Sequence, residues 1–257
     1  MNTHMNPHRT ADMKANLFIA AVAAVGAGII GTSLQHTVAA GLESRHLAWL
    51  GLAVLTVLAG RLSVRLPMAC CKVSFSDILI FISVWVFGTD LATLLAALDG
   101  CASSPRSSAA WYKRVFNTAA MAISVHLSSR LVWLILPDGA RSAAGPLDPA
   151  TLVLPTLLLA GAQYLLNTLL VSVVVALKEG VSLTAIWQGS LPWAGTGYLV
   201  GSAAAAALFI AVRQVGDGSL LAVVPFPPLL YLGYRACLDR LAAASRGARP
   251  TQQDSAA

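Results

Sequence analysis

The sequence predicts an all-α fold, a polytopic transmembrane helical bundle of about six to eight segments that includes one short helical hairpin. Three observations carry this. Of the 257 residues, 57% are hydrophobic and only 11% are charged, and the mean hydropathy is +0.72, outside the range of ordinary soluble domains. Apolar runs recur near the length a bilayer asks of a helix, about 20 residues. Basic residues gather at alternate run ends, the pattern left when Lys and Arg stay on the cytoplasmic side.

The first segment, 15–33, follows Arg9 and Lys14. No small-residue cleavage site precedes a soluble domain, so it is expected to be a retained helix and not a signal peptide. The second is 46–59. The third and fourth, 75–87 and 91–102, are short for a full crossing at about 1.5 Å per residue. They lie in "SFSDILIFISVWVFGTDLATLLAALDG", residues 74–100. Gly88 can take a positive φ there, and Asp90 is placed to cap the helix that follows. Irregular backbone at membrane depth persists only where it is buried in protein or lines a wet cavity. The hairpin is therefore a candidate binding element.

The fifth, sixth and seventh segments, 111–136, 151–177 and 183–212, are long enough to cross. An eighth, 219–241, holds Pro225, Pro227 and Pro228, which interrupt the helical hydrogen-bond ladder and kink it. The expected organisation is a cytoplasmic flank over 1–14, one transmembrane domain over 15–241 and a disordered cytoplasmic tail over 242–257. With the third and fourth segments paired as a hairpin, one side collects Arg9, Lys14, Arg61, Arg65, Lys72, Arg106, Lys113, Arg114, Lys178, Arg235, Arg240, Arg246 and Arg249, and the other receives Arg45, Arg141 and Arg213, with Arg130 inside a helix near it. That asymmetry predicts an even number of segments and both termini in the cytoplasm.

The net charge of +6 is dispersed along loop ends without aromatic interleaving, so nucleic acid is not the expected partner. The four cysteines, Cys70, Cys71, Cys101 and Cys237, fall at cytoplasmic segment ends where thiols stay reduced. No spacing of His, Cys and carboxylates suits a metal, and no cofactor is expected. The enzyme classes marked by GxSxG, HExxH or a P-loop are excluded by the absence of those motifs.

Charged and amide groups in an apolar segment are costly, and their default reading is functional. Asp77 and Asp99 sit at the two bases of the hairpin. Either they belong to an interfacial girdle of ion pairs with Arg61, Arg65, Arg106 or Arg114, or they form a coupling or cation site. His126 and Arg130 share a helix face; Arg130 either snorkels to the interface or couples to an anionic ligand group. Asn117, Gln163 and Asn167 should face the bundle interior as glue or as pocket lining. Trp193, Tyr198 and Tyr231 are candidates for an aromatic wall, or are interface anchors. "FNTAAMAIS" (116–124) echoes "LNTLLVSVV" (166–174), with each Asn-Thr pair expected on helices of opposite direction, as in an inverted repeat whose interface holds a ligand.

The runs "VSFSDILIFISVWVFGTDLATLLAALDG", "RVFNTAAMAISV", "YLLNTLLVSVVVALKEG" and "PPLLYLGYRACLDRL" together resemble the multi-pass N-terminal membrane sensor regions of bacterial HD-GYP and GGDEF signalling proteins. The resemblance implies a sensory or ligand-binding module without its own catalytic domain. It would hold an unknown small molecule and act through a cytoplasmic or membrane partner, with Asp77, Gly88, Asp99, Asn117 and Asn167 at the family's polar and helix-breaking points. A weaker resemblance, to the substrate-binding subunits of energy-coupling vitamin transporters, implies solute transport. A structural subunit of a membrane complex is the third expectation.

Overall fold

The structure, a computed structural model, describes residues 7–41, 44–60, 64–65, 72–73, 76–104, 111–136, 148–216 and 232. It is an all-α bundle. Helix α1 (Pro7–Ala39) and α2 (Ser44–Gly60) are followed by a two-residue antiparallel ladder. In it β1 (Val64–Arg65) meets β2 (Lys72–Val73), with Val64 opposite Val73. The hairpin follows as α3 (Ser76–Phe87) and α4 (Thr89–Ala102), then α5 (Trp111–Ile135). A 3-10 turn, Pro149–Leu152, leads into α6 (Val153–Glu179), and α7 (Leu183–Val215) is the last long helix described. The expected eighth segment, 219–241, lies outside the described residues.

Helix ends follow local chemistry. Asp148 caps the 3-10 turn by accepting from the Ala150 N–H at 3.0 Å, with Pro149 in the first position where no N–H is missed. Gly180 closes α6 at φ 68°, a left-handed conformation that favours glycine, and its N–H returns to the Ala176 carbonyl at 2.9 Å. Ser182 then caps α7 through the Ala185 N–H. Helix α1 is longer than the apolar run that announced it. It starts at Pro7, inside the expected flank, and continues past residue 33 to Ala39. "SLQHTVA" is too polar to count as membrane core, yet nothing in it breaks a helix.

Four stretches are long and apolar enough to cross a membrane: Asp12–Ala39, Trp111–Ile135, Pro149–Glu179 and Gly195–Val215. Their outward faces carry exposed Leu17, Val25, Leu134 and Val200, as expected for helices solvated by lipid. The hairpin behaves in the opposite way. In α3 nearly every side chain from Ser76 to Trp85 is buried; a helix apolar all round belongs in the middle of a bundle. It packs on α2, α4 and α7, while α4 packs on α1, α2, α3 and α5.

Two glycines let the backbones close. A Cβ at Gly26 on α1 would collide with Ala119 on α5, and one at Gly100 on α4 would stand 2.6 Å from the Asn117 carbonyl oxygen. Small residues at such contacts are how helices approach in lipid, where no hydrophobic force drives them together. The stack of Trp85 on Phe209, with centroids 5.5 Å apart, ties α3 to α7.

The contacts give the bundle two distinct ends. At the tip end, the turn at Gly88 lies beside His36 and Thr37 of α1, His46 of α2, and Arg130 and Trp133 of α5. At the base end, Gly60 and Asp99 meet, and Lys178 of α6 stands over the Tyr112 ring of α5. Helices α5 and α6 are consequently antiparallel, as are α6 and α7, where Tyr164 meets Tyr198 and Ser202 donates to the Thr156 carbonyl.

Candidate functional site

The tip end opens into a cleft of about 370 Å³ lined by His36, Thr37, His46, Phe87, Gly88, Thr89, Asp90, Arg130 and Trp133. Gly88 makes the turn at φ 84°, where an L side chain would be strained. Asp90 does not cap α4, contrary to expectation. Gly88 occupies the N-cap without a side-chain bond, Asp90 sits within the first turn, and its carboxylate reaches across to His36 Nδ1 at 3.4 Å. The longer α1 brings His36 there, which hydropathy alone placed in a flank. Among the described residues no ion pair joins Arg130 to Asp90, although both line the cleft.

Beneath the cleft, hydroxyls bind the hairpin to α5. Thr89 Oγ1 and Ser129 Oγ are 2.8 Å apart, and Thr93 Oγ1 stands 3.2 Å from His126 Nδ1 while donating to the Thr89 carbonyl. On the opposite side of α5, Gln163 is buried. Its Nε2 donates to Ser124 Oγ at 3.2 Å, and its Oε1 accepts from Ser128 Oγ at 3.3 Å. One turn further along α6, Asn167 Nδ2 donates to the Tyr198 hydroxyl at 2.9 Å. Tyr198 also packs its ring near Phe81 and Tyr164.

That hydroxyl lies within electrostatic reach of both Asp77 and Asp99, which in turn feel one another across the hairpin base. Ser76 donates a side-chain hydrogen bond to the Asp99 carboxylate. Asp99 is only 4% exposed, and its Oδ1 has no hydrogen-bond partner among the described residues. The oxygen points at Gly60, 2.8 Å from where a Cβ would stand, so the missing side chain at that position of α2 leaves room for the carboxylate as it is placed. Asn167 and Tyr198 thus meet between α6 and α7, with Asp77 of α3 and Asp99 of α4 on the neighbouring hairpin. Arg61 and Arg106, and the side chain of Arg65, which were considered as partners of this pair, are outside the described residues.

Other expected groupings are not formed. Arg130, grouped with Asp77 and Asp99 for coupling, lies at the tip end and exposed. It is separated from the acid pair by most of α4, because Asp90 and Asp99 themselves are roughly 14 Å apart along that helix. Asn117 and Asn167 do not face one another. Asn117 donates to Ser104 Oγ at 3.0 Å, near the close approach of Gly100. Gln163 sits against Ser124 and Ser128 in an antiparallel pair, which leaves Asn117 roughly 7 Å nearer the base than the level of Asn167. The Trp193 side chain and all of Tyr231 lie outside the described residues. Among the described residues no group of three or more His, Cys, Asp or Glu could hold a metal ion.

No protein-family model matches the chain, and neither a curated protein nor a solved structure does.

Proposed function

We propose that the protein is an integral-membrane sensory module that captures a small ligand in the tip-end cleft and reports it, through the hairpin, to a partner at the base end. One observation carries the proposal. A single element, α3–α4, has its turn in an open polar cleft and two of its three carboxylates at the other end, Asp99 buried and Asp77 half-buried. Elsewhere an apolar core helix would be cheaper; a carboxylate at bilayer depth costs about 2.5 kcal/mol or more on insertion scales. Arg130 and Asp90 offer opposite charges unpaired with each other in a cleft that Trp133 also lines. This suits a small zwitterion or a ligand with one anionic and one cationic group.

The orientation that fits is base end in the cytoplasm, since Lys14, Lys113 and Lys178 lie towards it, in the inner membrane of a bacterium. This is also the arrangement implied by the resemblance to HD-GYP and GGDEF sensor regions. The module would have no catalysis of its own and would need a cytoplasmic or membrane partner to act.

Native mass spectrometry of protein extracted in mild detergent tests the proposal. Wild-type protein is expected to carry a small-molecule adduct that is lost in Arg130→Gln and in Asp90→Asn, while Arg213→Gln keeps it. Bare wild-type protein, or an adduct indifferent to both cleft substitutions, refutes it.

A further inference from the structure

A second cavity of about 370 Å³ lies at the base end, between α1, α5 and α6. Its walls are apolar along Ile19, Phe116, Val171 and Val174, and its rim carries Lys113 and Lys178 with Glu179 beside them. The lysines stand in the terminal turns of α5 and α6, the ends of two helices long enough to cross the hydrocarbon of a bilayer, about 30 Å thick. Their ammonium groups are therefore at headgroup depth, while the valines below are at acyl-chain depth. Exposed Trp111 and the neighbouring Tyr112 mark the same level, where amphipathic rings collect. Lys178 Nζ is held 4.0 Å above the centre of the Tyr112 ring, which fixes one charge at the mouth of the groove.

A groove that is apolar inside and cationic at its rim has one natural complement at that depth. We propose that it is a binding site for an anionic phospholipid, whose phosphate headgroup lies between Lys113 and Lys178 and one of whose acyl chains lies along Phe116, Val171 and Val174. The site is separate from the tip-end cleft and does not depend on the sensory reading. A zwitterionic lipid presents the same chains but adds a cation where the lysines already are. Soluble phosphate esters share the headgroup chemistry but leave the groove unfilled.

The test is native mass spectrometry of delipidated protein titrated with dioleoyl phosphatidylglycerol, dioleoyl phosphatidylcholine or sn-glycerol 3-phosphate. Phosphatidylglycerol should bind most tightly and saturate at low stoichiometry. Lys113→Gln and Lys178→Gln should each weaken it about fivefold, as expected for one basic residue at an anionic surface. Val174→Trp should displace it with both lysines intact, and Arg213→Gln, at the other end, should leave it unchanged. Equal binding of phosphatidylcholine, equal binding of glycerol phosphate, or indifference to both lysine substitutions overturns the proposal. The wild-type lipid comparison decides even where a variant fails to fold.

Discussion

Replacing Gly100 by alanine tests how the hairpin is seated. The new Cβ would lie 2.6 Å from the Asn117 carbonyl oxygen, 2.9 Å from its carbon and 3.0 Å from the Thr118 Cα, all backbone atoms of α5. Ordinary contact begins at 3.4 Å, so α4 must retreat by about 0.8 Å, and no side-chain rotation can spare it. Overpacking of this kind costs about 1–3 kcal/mol, towards the upper end when a backbone must move. Alanine returns about 1 kcal/mol of helix propensity, leaving a net loss of about 2 kcal/mol. Gly28→Ala is the control, because nothing lies within 4 Å of its Cβ, and only the propensity gain of about 1 kcal/mol applies. The two variants should therefore differ by about 3 kcal/mol in unfolding titrations with SDS in mixed micelles, followed by far-UV circular dichroism. If Gly100→Ala proves as stable as Gly28→Ala, α4 and α5 do not meet at backbone contact and the placement of Asp99 beside that contact is wrong.

Gln163→Leu removes the donation to Ser124 and the acceptance from Ser128 without opening a large cavity. At about 0.6 kcal/mol for an average hydrogen bond in a membrane, the same titration should show a loss of about 1 kcal/mol. A loss above about 4 kcal/mol would mean that the amide organises far more of the interior than these two bonds. In a background without native cysteines, His36→Cys and Ser103→Cys should react with an impermeant maleimide from opposite faces of sealed vesicles, because both positions are exposed and lie at the tip and base ends. Labelling from one face alone contradicts the two-ended arrangement.

The hairpin was legible in the sequence because its signal is local. An apolar run too long for one short helix and interrupted at Gly88-Thr89 has few other solutions, and the observed helices end where expected and start within one or two residues of the expected positions. Gly88 was readable for the same reason: only glycine turns there at φ 84° without strain. His36 was missed because hydropathy measures where apolar side chains stop, whereas α1 continues as long as its backbone bonds remain unbroken. The level of Asn117 relative to Asn167 was illegible for a different reason. Depth along two antiparallel helices depends on their packing register, and that register is set by Gln163 against Ser124 and Ser128 and by the Lys178–Tyr112 contact. A repeated Asn-Thr carries no information about it. Asp99 was placed at the hairpin base from the sequence, but its dependence on Gly60 joins residues from different helices and is visible only in three dimensions.

The three carboxylates of the hairpin therefore answer to two environments. Asp90 faces an open cleft and the His36 ring. Asp77 and Asp99 stand at the other end, Asp99 buried beside Ser76 and Asp77 half-buried on α3, and one oxygen of Asp99 faces Gly60 without a donor among the described residues. The energy of a buried acceptor left without a donor depends on each donor that comes within reach. The hairpin itself is poorly able to absorb a displacement. Its helices are short, buried along most of their length, and joined by one glycine. On the proposed function, a movement of the turn at Gly88 would be carried along α3 and α4 to the acid pair. On the proposed function, this is why the costly residues stand at the far end of the element that lines the cleft: the cleft supplies the displacement, and the carboxylates convert it into a change of charge environment at the base.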